Sequence, residues 1–119
     1  MMREDSRTLK ATPAGKVYMH LMAHLNSGDP QYIRKFVLER FTEDALKEYK
    51  IEGLVEWLWD IYDDTGGLRI HKVFLSQEYY IVIVAMAING GALFLDKLKV
   101  TDTQPHQVIE FYHEVHPDG

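Results

Sequence analysis

The hydrophobic period of this chain changes once, at Gly66-Gly67, and that change restricts the fold more than any other feature. Before it, apolar residues recur at helical spacing. Tyr18, Leu21, Met22 and Leu25 form one stripe, and Ile33, Phe36, Val37 and Phe41 form a second. Leu54, Val55, Leu58, Ile61 and Tyr62 form a third, over roughly 52–64. After the two glycines the alternation has period two, in "LRIHKVFLS", "EYYIVIVAMAI", "ALFLDKLKV" and "QVIEFYHEV". "NGG" is a tight turn between the second and third strands, and "TDTQPH" joins the third to the fourth. Such short connections allow only antiparallel neighbours. Helices followed by an antiparallel meander predict an α+β fold with the helices covering one sheet face.

Local signals set the boundaries. Thr12-Pro13 and Asp29-Pro30 each read as an N-cap followed by proline at the first helical position, and Thr42 caps the short piece "EDALKEY". Residues 1–11 carry mixed charge without periodicity and are expected to be a flexible arm; 12–119 form a single domain. The second strand is apolar on both faces. Tyr80, Val82, Val84 and Met86 alternate with Tyr79, Ile81, Ile83 and Ala85. One face meets the helices. The other, with Leu93, Leu95, Val108 and Tyr112, predicts a homodimer.

Composition narrows the function. The net charge of −5 provides no basic field for nucleic acid or an anionic membrane. With no cysteine, disulfides, thiolate metal sites and cysteine nucleophiles are excluded. The polar start lacks the apolar core of a signal peptide, and the longest apolar run, "YYIVIVAMAI", is about half the roughly 20 residues a helix needs to span a bilayer. A cytoplasmic location is expected. "TGG" lacks the spacing and lysine of a phosphate-binding loop.

The candidate site begins with Asp96, a carboxylate in the row Phe94, Leu98, Val100 that faces the core. A lone buried carboxylate is costly unless it is paired or protonated. The fourth strand supplies a partner. Its inward set reads Ile109, Phe111, His113, Val115, and inward sets must coincide across an antiparallel pair. The register that pairs Val100 with Ile109 and Leu98 with Phe111 puts Asp96 beside His113. It also sets Lys99 beside Glu110 on the opposite face, a favourable cross-strand pair. Registers slipped by two residues leave the acid and imidazole diagonal. Such a pair serves equally as a general acid–base couple or as a structural hydrogen bond in the core.

The phrases "VYMHLMAHLNSGDP", "LNSGDPQYIRKFVLERF", "LVEWLWDIYDDTGG" and "DDTGGLRIHKV", with the strands after Leu68, resemble the ketosteroid-isomerase-like superfamily, also called SnoaL-like or nuclear-transport-factor-like. The resemblance implies a curled sheet wrapped around helices into a cone. It also implies a function drawn from isomerases, cyclases, dehydratases and non-catalytic binders. In the isomerase branch a tyrosine on the first helix and an acid on a late strand hydrogen-bond a substrate oxyanion; Tyr18 and Asp96 occupy comparable places. No counterpart of that branch's separate carboxylate base is identifiable.

Asp96, His113 and Tyr18 are therefore the candidate catalytic residues. Trp57, His71, Phe94 and Phe111 are the candidate contacts for a small apolar or cyclic ligand. His20 and His24 have the spacing of a helical metal pair but lie off the apolar stripe without a third ligand, so no metal site is expected. Asp60, Asp63 and Asp64 sit at a helix C-terminus, where carboxylates oppose the macrodipole. Two functions are expected from these residues. One is a cofactor-free pocket protein using acid–base chemistry; the other is a non-catalytic dimerisation or accessory module with a structural Asp–His pair.

Overall fold

The computed structural model describes residues 7–116. Four helices, α1 (Pro13–Asn26), α2 (Pro30–Arg40), α3 (Glu43–Tyr49) and α4 (Ile51–Thr65), precede four strands, β1 (Leu68–Ser76), β2 (Tyr80–Ala87), β3 (Leu93–Val100) and β4 (Val108–Val115). The sheet is antiparallel in the order β1-β2-β3-β4, with its first and last strands unpaired to one another. The α+β meander inferred from the change of period is the fold observed.

The caps behave as their chemistry dictates. The side chains of Thr12, Asp29 and Thr42 accept from the backbone N–H groups of Gly15, Gln31 and Ala45 at 3.0, 2.9 and 3.2 Å. Each satisfies a donor that has no partner within its helix. Gly66 closes α4 at φ 71°, a left-handed conformation that glycine adopts without a Cβ penalty. Asn26, the last residue of α1, clamps the start of the sheet. Its amide donates to the Leu68 carbonyl at 2.7 Å and accepts from the Leu68 N–H at 2.9 Å.

The helices pack on the inner sheet face, and α1 crosses it. Its buried side, with Val17, Tyr18, Leu21 and Leu25, meets Ile81, Ile83, Ala85, Leu98 and Val100 in one core. Full burial of each such aliphatic side chain contributes roughly 1.5–3 kcal/mol by transfer from water.

Three local features depart from the expected pattern. Residues 1–6 of the expected arm lie outside the described residues, but 7–10 form a turn of helix and Leu9 is fully buried. Gly15 permits that docking, because a Cβ there would lie 1.9 Å from the Leu9 carbonyl oxygen. Val100 pairs with Val108 rather than Ile109, through an irregularity after Lys99. The extra residue turns Val108 into the core, where it bridges Phe41, so Val108 is not part of the outer face. β1 carries two further irregularities, at His71 and Phe74, and both residues are exposed.

The outer face carries Tyr80, Val82, Val84 and Met86 on β2 beside Leu93 and Leu95 on β3. Val82 and Val84 are buried within the single chain, while Tyr112 on β4 is half exposed. Among the described residues no helix is long and apolar enough to cross a membrane.

Candidate functional site

Asp96 is held where α1, β3 and β4 meet. β3 and β4 pair Asp96 with His113, Leu98 with Phe111 and Lys99 with Glu110, the register set by matching inward faces. Asp96 is completely buried, and both of its oxygens are engaged. The Tyr18 hydroxyl donates to Oδ2 at 2.7 Å. His113 Nδ1 lies 2.5 Å from Oδ1.

These contacts define the proton positions. With Asp96 ionised and therefore only accepting, the proton shared with His113 belongs to Nδ1 and the Tyr18 proton points to Asp96. In a neutral imidazole the remaining nitrogen, Nε2, is then an acceptor with a lone pair. The Tyr18 phenol is pushed well above its ordinary pKa, first by burial and then by the charge and hydrogen bond of Asp96. It stays a neutral donor.

Asp96 itself does not line the cavity beside this pair. His113 does. Its side chain, only 8% exposed, lines a cavity of about 200 Å³ together with Trp57, Asp60, Ile61, Asp64, Thr65 and Phe94. Phe94 stacks on the imidazole at 4.5 Å with the rings 22° apart, fixing the ring plane. Among the described residues Nε2 has no hydrogen-bond partner in the chain. The geometry is a carboxylate-anchored imidazole on the lining of a small cavity, an arrangement that can orient a general base or acid.

The other candidates separate. Tyr18 is fully buried and its hydroxyl is committed to Asp96, so it positions the acid and cannot reach a ligand in the chamber. Trp57 lines the chamber and also a second, apolar groove of about 290 Å³ with Phe41, Tyr49, Leu54 and Phe111. Phe111 belongs to that groove, 5.5 Å from Trp57 between ring centres. His71 is exposed at the irregularity in β1 and lines neither space, because the extra residue breaks the alternation that would fix its face.

His24 stacks on Tyr32 at 3.9 Å, and its Nδ1 lies 2.7 Å from the His20 carbonyl oxygen. Burial lowers the His20 pKa first, followed by repulsion from Arg40 and His24. Among the described residues no three His, Asp or Glu side chains cluster closely enough to hold a metal ion.

Asp60 and Asp64 are wall residues that inward-facing patterns did not select. Their signal was position: with Trp57 and Ile61 they share one side of α4, at spacings of three and four residues. The fold and site thus define an α+β domain with a buried Tyr–Asp–His chain ending at a chamber. No family model matches the sequence, and no curated protein or solved structure is significantly similar to it.

Proposed function

We propose that this protein is a small-molecule pocket protein of the ketosteroid-isomerase-like kind, in which His113 exchanges protons with a bound ligand without a cofactor. One observation carries the reading: a nearly buried imidazole lines a cavity with its Nε2 unpartnered among the described residues, while Nδ1 is tied to a buried carboxylate. A structural histidine in a core gains nothing from a cavity at its free nitrogen. A proton-transferring one requires it.

In this reading Nε2 takes a proton from an acidic carbon or hydroxyl of the ligand and returns it to another position. The imidazolium formed in between is stabilised by Asp96, as the carboxylate of a catalytic triad stabilises its histidine. Tyr18 holds Asp96 in place. Isomerisation, cyclisation and dehydration all need this shuttle.

The test is deuterium incorporation from D₂O into a panel of small enolisable ketones that are neutral, cationic or anionic. Exchange with at least one member is expected, reduced about 100-fold or more in His113→Gln, as general acid–base catalysis typically contributes 10²–10⁴-fold. Exchange that is absent throughout, or equal in the variant, leaves the accessory-module reading. That second reading draws on the complete burial of Asp96 and the satisfaction of both its oxygens within the chain.

Self-association through the outer sheet face belongs to the same proposal. Tyr80, Met86, Leu93 and Leu95 are only partly covered by their own chain, and Tyr112 is half exposed. A standard dimer interface buries on the order of 1,200–2,000 Å² in total. Light scattering at micromolar concentration is expected to give twice the chain mass, falling to one chain on Leu95→Lys. A monomer in the parent protein removes the dimer.

A further inference from the structure

We infer that the chamber at His113 selects an organic cation, a protonated amine small enough to sit between Trp57 and Phe94. The inference rests on the pocket reading above and assigns its ligand class. Asp60 and Asp64 lie one helical turn apart, both exposed, and both line the chamber. Among the described residues neither forms an ion pair. The last turn of α4 contains no basic residue, so the carboxylates meet the negative end of the helix dipole unopposed. That placement is unfavourable for the helix alone. A cation in the chamber reverses the sign, since it faces two carboxylates and the dipole end together.

The remaining walls suit the same occupant. In its neutral form His113, whose side chain is about nine-tenths buried, has Nε2 as an acceptor, and an ammonium N–H is a donor only. Trp57 and Phe94 also line the cavity, and aromatic rings attract cations through their quadrupoles. A metal ion fits less well, because no three ligating side chains converge among the described residues. An anion meets two carboxylates and an acceptor nitrogen, and is repelled.

The experiment titrates the intact protein with benzylamine, benzyl alcohol and benzoate, following the imidazole signals of His113 by NMR. Benzylamine is expected to bind about tenfold more tightly than benzyl alcohol, with benzoate weakest, as the sum of exposed charge pairs and a cation–π contact. The double variant Asp60→Asn, Asp64→Asn should erase the preference for the amine. Asp63→Asn, which alters an acid of the same turn outside the chamber, should retain it. Equal binding of the three probes, or a preference that survives the double variant, overturns the cation assignment and leaves the pocket standing. If no probe moves the His113 signals, both the cation assignment and the pocket reading fall.

Discussion

Replacing His113 with alanine is expected to destabilise the fold by about 3 kcal/mol, the cost of leaving a buried carboxylate short of a hydrogen bond. Asp96 is completely buried and would retain only the Tyr18 hydroxyl. The alanine also removes a ring that stacks on Phe94, so a second variant isolates the polar contribution. His113→Phe preserves the aromatic volume while removing the Nδ1 donor, and should show most of the same loss. The triple variant Tyr18→Phe, Asp96→Leu, His113→Phe replaces the whole polar chain by apolar groups of similar size. It is expected to recover much of the lost stability, because no buried polar group is left unsatisfied. Denaturant unfolding of this set checks the argument. A His113→Phe protein as stable as the parent would mean that Asp96 does not depend on the imidazole.

The second large effect lies at alkaline pH. Burial, reinforced by the charge and hydrogen bond of Asp96, raises the Tyr18 pKa in the folded state. The unfolded phenol ionises near its ordinary value of about 10. Below that pH both states hold the proton and the Tyr18 contribution is fully present. Above it the unfolded chain releases the proton first, and stability falls by up to about 1.4 kcal/mol per pH unit until the folded pKa is reached. Tyr18→Phe removes this dependence. It should cost about 1.5–3 kcal/mol at neutral pH, from a hydrogen bond to a charged group, yet show a shallower decline above pH ~10. The difference between parent and variant isolates Tyr18, because Tyr49 and Tyr79, whose pKa values are also raised, are common to both. Parallel curves above pH ~10 would remove Tyr18 as the source of the slope.

The sequence by itself determined most of the elements and favoured the register that joins Asp96 to His113. Helical spacing, the caps at Thr12, Asp29 and Thr42, and the double glycine indicated three helices and a short helical piece before four strands, because these signals act over a few residues. The Asp96–His113 pairing was legible for the same kind of reason. Period-two faces can coincide only in alternate registers, and Lys99 opposite Glu110 favours the one observed.

What the tertiary structure alone decided involves residues that meet only after folding. Tyr18 and Asp96 are 78 positions apart, and nothing local shows that the phenol ends on the carboxylate rather than in a pocket. Local alternation also misses extra residues in strands, which is why Val108 faced inward and His71 went to the surface. Leu9 looked like part of a polar arm because one apolar residue has no period; its burial depends on the space above Gly15. The chamber required α4 to lie against the β3–β4 pair, bringing Asp60 and Asp64 beside His113. Periodicity tells which face of an element is apolar. Only packing decides which polar groups that face encloses and which of them line a cavity.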